Sequence, residues 1–180
     1  MKLIAVSGSL RKESLNTRLG RLMTTLAESP VTVELADLHG IPLYNGDEED
    51  AHGIPEAVTR LRERIKGSDG LILITPEYNA GMPGVMKNAL DWLTRPGEEM
   101  RSTFSKRPTA LAGATPGAWG TALAQSSALI SLRQLGVNLF PDYLRVSRAH
   151  QSLSDESVDE KLREQVAKWL RNFGQFIDEA

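Results

Sequence analysis

The 180-residue chain is 41% hydrophobic and carries 21 basic against 23 acidic residues, a net charge of −2. That fills one domain over residues 1–180 with little left for a second, and the balance of charge argues against a nucleic-acid face or an anionic-membrane anchor. The absence of cysteine excludes disulfides, thiolate nucleophiles and cysteine-held metal or iron–sulfur sites; no apolar run approaches a bilayer span, and the N-terminus enters a strand at once, with no signal peptide, so a cytoplasmic protein is expected.

Leu3-Ile4-Ala5-Val6 predicts a first strand, broken by Ser7-Gly8-Ser9. A basic and polar segment, Leu10 to Asn16, leads into a helix with Leu15, Leu19, Leu22, Met23 and Leu26 on one face, ended by Pro30. Strand, tight loop and helix is the geometry that binds phosphate in α/β proteins, because the helix start offers free N–H groups and the positive end of its dipole. Gly8 permits the turn, Ser9, Ser14, Asn16 and Thr17 offer neutral donors, and Arg11 offers a fork matched to phosphate oxygens. Taken singly, Ser14 reads equally well as a helix N-cap and Asn16 as a first-turn residue. Neither a GxGxxG fingerprint nor a GxxxxGK[ST] loop is present.

Val31 to Ala36 alternates as a second strand; a turn-rich loop follows, and the acidic run Asp47 to Asp50 reads as a solvated loop. No metal site is expected, since the run lacks calcium-loop spacing and His39, His52 and His150 are scattered. Ile54, Val58, Leu61 and Ile65 mark a second helix that stops at Gly67. Gly70 to Thr75 is apolar without alternation, as a strand buried on both faces would be. It runs into Pro76-Glu77-Tyr78-Asn79-Ala80-Gly81, and Val85 to Leu93 is then helical. Pro96 to Arg107 reads as a polar connection. Thr109 to Ala112 is a fourth strand, followed by a loop of small residues from Gly113 to Gly120 and a helix from Thr121 to Leu135. The last strand region starts at Val137, breaks at Pro141 and resumes at Tyr143 to Val146. A C-terminal helix carries Val158, Leu162, Val166, Trp169, Leu170, Phe173 and Ile177 on one stripe.

Five alternations of strand and helix predict a doubly wound parallel sheet of five strands, with flavodoxin-like order 2-1-3-4-5 and helices on both faces. In that order the loops after strands 1, 3 and 4 meet in one crevice at the switch point between strands 1 and 3. The first suits a phosphate; the other two, with Glu77, Tyr78, Asn79 and Trp119, suit a flat heterocycle with a hydrogen-bonding edge. Flavin mononucleotide (FMN) meets both descriptions. A phosphate- or nucleotide-binding module without flavin stays open on the residues alone.

Four stretches together resemble the NADPH-dependent FMN reductases, flavodoxin-like quinone and chromate reductases: Gly8-Ser9-Leu10-Arg11 with Ser14 and Asn16; Pro76-Glu77-Tyr78-Asn79; Lys87-Asn88-Ala89-Leu90-Asp91-Trp92; and Gly113 to Gly120. The third loop departs from the family's Ser/Gly-rich version at Ala114, Thr115 and Pro116. The resemblance implies that Ser9, Arg11, Ser14 and Asn16 hold the FMN phosphate, with Thr17 a further candidate donor from the loop itself, and that Pro76, Glu77, Tyr78 and Asn79 line the ring. It further implies that Gly113, Ala114, Thr115, Gly117, Ala118 and Trp119 face the pyrimidine side of the ring. It implies hydride transfer from NADPH or NADH to flavin N5 and then to a quinone, flavin, chromate or azo acceptor, by a ping-pong mechanism with no catalytic side chain. A homodimer or homotetramer is implied, with Leu43 to Asp50 and the helix bearing Asp91 and Trp92 as contact surfaces. The alternative within the fold is a non-enzymatic electron carrier of the flavodoxin type, against which the near-neutral charge argues.

Overall fold

The computed structural model describes residues 1–154 and 157–179. The N-terminal apolar run becomes β1 (Lys2–Ser7), and α1 (Leu15–Leu26) follows its loop. The helix ends four residues before Pro30, its last turn closed by Ala27 N–H donating to Met23 O at 3.1 Å. Then come β2 (Thr32–Ala36), α2 (Gly46–His52), α3 (Glu56–Lys66) and β3 (Gly70–Ile74). The acidic run is therefore helical, a correction to the loop expected there. Asn45 Oδ1 caps α2 by accepting from Asp47 N at 3.0 Å, and Asp47, Glu48 and Glu49 sit in its first turn, where the dipole favours them.

The chain continues with α4 (Gly84–Leu93), α5 (Glu99–Phe104) and β4 (Pro108–Ala114). The expected polar connection thus holds a short helix that buries Thr103 and Phe104, two residues too few for a periodic signal. After α6 (Ala122–Leu135) come β5 (Asn138–Leu139), β6 (Leu144–Val146), α7 (Ala149–Ser152) and α8 (Glu160–Asp178).

The strands form one parallel sheet in the order β2-β1-β3-β4-β5, with β6 also paired to β4. The fifth position is filled by two short strands: Pro108 and Thr109 pair with Asn138 and Leu139, and Ala112 to Ala114 pair with Leu144 to Val146. Proline at 141 cannot donate to a ladder, so the pairing lapses there and resumes one turn later.

Strand periodicity sends alternate side chains to two cores. Leu3, Ala5, Ile72, Ile74, Ala110 and Ala112 pack under α1 and α8. Ile4, Val6, Leu71, Leu73 and Leu111 pack under α3, α4 and α6. Every residue of β3 is buried, as its unbroken apolar run predicts. Each large side chain on it contributes about 1.5–3 kcal/mol of burial. On α8, Trp169, Phe173 and Phe176 gather round Phe140, the residue at which β5 gives out, with ring centres 5.3–6.0 Å away.

Candidate active site

The C-terminal ends of β1, β3 and β4 lie side by side, so the loops that leave them share one edge of the sheet. Gly8 N–H donates to Ile74 O at 2.9 Å, carrying the first loop across the end of β3. A Cβ at Gly8 would stand 2.6 Å from Met86 Cε and 3.2 Å from Pro76 Cδ, so the first two loops touch only because that residue has none.

In the first loop Ser14 is the N-cap of α1, its Oγ accepting from Asn16 N and Thr17 N, both at 3.2 Å. A hydroxyl that accepts in this way still carries one proton to donate. Ser9 and Ser14 are each 4% exposed. Ser9 Oγ accepts from Arg11 N at 3.3 Å, and the Arg11 side chain is exposed at the mouth. Thr17 Oγ1 pairs with Ser7 Oγ at 2.9 Å, joining α1 to the end of β1. Asn16 is buried and its amide is used on Ala114: Nδ2 donates to Ala114 O at 3.0 Å and Oδ1 accepts from Ala114 N at 2.9 Å.

The second loop is a tight hairpin. Tyr78 and Gly81 exchange two backbone bonds of 3.1 Å, with Asn79 (φ 50) and Ala80 (φ 59) between them, both left-handed. That is the pattern of a type I′ turn, which Asn tolerates and Ala adopts at a cost. Pro76 is buried and Tyr78 is 50% exposed.

Gly113 and Ala114 are the last residues of β4, so the third loop begins at Thr115. Thr115 N donates to Val146 O at 3.0 Å, Gly117 N donates to Thr115 Oγ1 at 3.2 Å, and Trp119 is 79% exposed. The loop after β6 docks beside it, Arg148 N donating to Gly117 O at 2.8 Å and Ala149 N to Thr115 O at 2.9 Å.

A cleft of about 310 Å³ opens here. Of the candidates it is lined by Ser9, Arg11, Ser14, Asn16, Pro76, Glu77, Tyr78, Ala114 and Thr115. Thr17, Asn79, Gly113, Gly117, Ala118 and Trp119 are not in its wall: Thr17 is bonded to Ser7 at the end of β1, Gly113 lies within β4, and the others belong to the second and third loops. The wall also includes Glu13, Arg18 and Pro116, and His150, Leu153 and Ser154 from α7 and just beyond. Arg18 Nη2 is held by Glu13 Oε2 at 2.6 Å. No motif marks His150, but the strand order carries a signal for it. A fifth strand beside the fourth delivers its following loop to the same edge. Among the described residues, no three His, Cys, Asp or Glu side chains are gathered as a metal site, and no helix is long and apolar enough to cross a membrane.

Two buried serine hydroxyls, a guanidinium and the α1 N-terminus make a donor set that fits a phosphate group. The model for NADPH-dependent FMN reductase matches residues 1–151. The chain belongs to that family. It is 40% identical over 174 residues to an NAD(P)H-dependent FMN reductase of Pseudomonas aeruginosa, covering 95% of this chain and 92% of that protein. It is 30% identical over 183 residues to an Escherichia coli quinone reductase, covering 98% and 95%. Among solved structures, the Paracoccus denitrificans flavoenzyme NAD(P)H:(acceptor) oxidoreductase FerB superposes with a TM-score of 0.85 at 35% identity, over 99% of this chain and 97% of that one. This FMN reductase is thus a flavodoxin-like oxidoreductase enzyme whose cofactor is FMN and whose reductant is NAD(P)H. A non-enzymatic electron carrier is not favoured.

Proposed function

We propose that the chain takes hydride from NADPH or NADH and delivers it to a quinone, or to free flavin, chromate or an azo compound, at one open face above β1, β3 and β4. The observation that carries this is the cleft at the switch point of the sheet, where strand order reverses and ligands of such folds bind. Relatives named as quinone reductases, and a Burkholderia 2-hydroxy-1,4-benzoquinone reductase 42% identical over 126 residues, support a quinone acceptor.

Bound FMN supplies the chemistry of accepting hydride at N5 and giving it up again. The chain's own work is position and charge. Ser9, Arg11 and Ser14, with the N-terminus of α1, hold the phosphate; Thr17 and Asn16 keep that helix in place through Ser7 and Ala114. Pro76, Glu77, Tyr78 and Asn79 flank one side of the ring. Gly113 and Ala114 at the end of β4, with Thr115, Gly117, Ala118 and Trp119, would flank the other; the N–H groups of Ala114, Thr115 and Gly117 are bonded within the protein and hold that loop in shape. No side chain serves as acid, base or nucleophile. One face serves both substrates, so the nicotinamide leaves before the acceptor enters.

The chain acts as one domain, in the cytoplasm, as a homodimer or homotetramer. Contact surfaces are the segment from Leu43, 82% exposed, to Asp50 and the helix α4, on which Asp91 is partly exposed whereas Trp92 is buried and so is no contact. A groove of about 660 Å³ between α4, α5 and α6, lined by Leu90, Met100 and Ile130, supports an assembled state. Size-exclusion chromatography with light scattering checks this, and a monomer at micromolar concentration would overturn it.

The deciding experiment is steady-state kinetics on the yellow holoenzyme with both nicotinamides and a panel of quinone, flavin, chromate and azo acceptors. Parallel double-reciprocal lines at several fixed quinone concentrations are expected. Intersecting lines would show two substrates bound together and sink the shared face.

A further inference from the structure

One carboxylate joins the second loop to the start of α6. Glu77 Oε2 accepts from Leu123 N at 2.9 Å and from Ala124 N at 3.0 Å. These N–H groups belong to the first turn of α6, which has no partners for them within the helix. Thr121, at the N-cap position, is left-handed (φ 61) and its side chain caps nothing in the backbone. The cap comes instead from another loop. A second bond follows the same route, Met82 N donating to Ser127 Oγ at 2.9 Å.

The ground beneath is packed without slack. A Cβ at Gly113 would lie 1.9 Å from Thr121 Oγ1 and 2.6 Å from Thr75 O. The ends of β3 and β4 and the start of α6 therefore meet at one point, and the strut that sets the second loop against that point is the Glu77 side chain. A carboxylate at a helix N-terminus gains both the hydrogen bonds and the dipole.

We propose that Glu77 is a positioning residue of the flavin site: by capping α6 it fixes the gap between the Pro76–Asn79 hairpin and the Thr115–Trp119 loop. This rests on the placement of the ring between those loops given above. Removing the carboxylate frees two N–H groups and lets the hairpin drift, while the phosphate contacts on the first loop are untouched. The ring end alone suffers, so FMN and riboflavin, which share the ring and differ in the phosphate, lose affinity together.

The test is fluorescence titration of Glu77→Ala, Glu77→Gln, Glu77→Asp and Arg11→Ala with FMN and with riboflavin, beside thermal melts of each apoprotein. Glu77→Ala is expected to weaken both ligands by the same factor, about tenfold, the scale set by loss of a charge-assisted hydrogen bond. Glu77→Gln keeps an acceptor oxygen and recovers most of the loss. Glu77→Asp, one methylene short of the α6 N–H groups, falls between them, and it carries the test should Glu77→Ala not fold. Arg11→Ala weakens FMN alone. Unchanged affinities in Glu77→Ala or Glu77→Asp with a lowered melting temperature would make Glu77 a helix cap and nothing more, overturning the proposal. A loss confined to FMN would overturn it too, by putting the effect at the phosphate end. Equal losses of both ligands in Arg11→Ala would instead overturn the assignment of the two ends on which the proposal stands.

Discussion

Asn16 and Ala114 are bonded to each other twice, the side-chain amide of one matching both backbone groups of the other at 2.9 and 3.0 Å. An asparagine in the first turn of α1 thereby acts as one more rung beyond the end of β4. Both residues are buried, so the bonds are shielded from water and neither backbone group has solvent to turn to. Asn16→Ala is expected to strand Ala114 N–H and C=O, at about 1–3 kcal/mol for each group left unpaired. A urea titration of the apoprotein reads this as a lower midpoint at unchanged slope. Asn16→Asp offers an acceptor to Ala114 N but a repelling oxygen to Ala114 O, and it should not restore the midpoint.

Arg11 is expected to act on the phosphate alone. Arg11→Ala should weaken FMN by about 1.5–3 kcal/mol, one to two decades in dissociation constant, and leave riboflavin nearly unchanged. Arg11→Lys should recover part, keeping the charge and losing the fork. Wild type should bind FMN more tightly than riboflavin or FAD, and equal affinity for riboflavin would refute the phosphate assignment.

Gly113 tests the packing behind the cleft. Gly113→Ala puts a methyl group where Thr121 Oγ1 and Thr75 O already stand, at 1.9 and 2.6 Å. Neither the buried backbone just past β3 nor a fully buried threonine can move far, so overpacking of about 1–3 kcal/mol is expected. The thermal melt should fall, and Thr121→Ala, which removes the clashing Oγ1, should relieve part of it in the double variant. A full-stability Gly113→Ala would mean that β4 and α6 are less tightly apposed.

Acid should weaken the fold in part through β2. The Glu34 carboxyl is held below its ordinary value of 4.5 by its hydrogen bond to Lys2 and, next, by Arg64, against an opposing push from burial. Lys2 Nζ is 2.9 Å from Oε2 and Arg64 Nε is 2.6 Å from Oε1. A carboxyl whose folded value is depressed adds stability above its unfolded value, and that stability is lost as pH falls through the folded one. Denaturant midpoints measured from pH 7 down to about pH 3 should therefore drop less steeply in Glu34→Gln than in wild type. Parallel curves would show that the two cations do not favour the charged form.

The sheet order could be read from the chain because β1, β3 and β4 are short, apolar and separated by helical periods, and right-handed crossovers leave few ways to arrange them. The crevice followed from that order. The use made of each polar residue did not. Ser14, Asn16 and Glu77 carry groups that suit a ligand, and all three are committed to backbone N–H groups elsewhere in the site. Asn16 and Glu77 reach partners far along the chain, and nothing in a local pattern records which distant backbone group an amide or carboxylate will meet. The short helices α2 and α5 leave no mark in the sequence for a local reason: seven and six residues carry too little periodicity to stand out from polar loop.

The lapse in pairing between β5 and β6 has a consequence for how molecules of this protein meet each other. An outermost strand with a long row of free N–H and C=O groups is a template for another chain's strand, and aggregation starts there. Here that outer row is only two residues, then an interval with Pro141, then three. Trp169 Nε1 donates to Asp142 O at 2.9 Å, so one carbonyl of the interval is already taken by α8. A visiting strand would find two stubs and a kink in place of a straight ladder. The same break that drops Phe140 among the rings of α8 therefore keeps this margin of the sheet from growing.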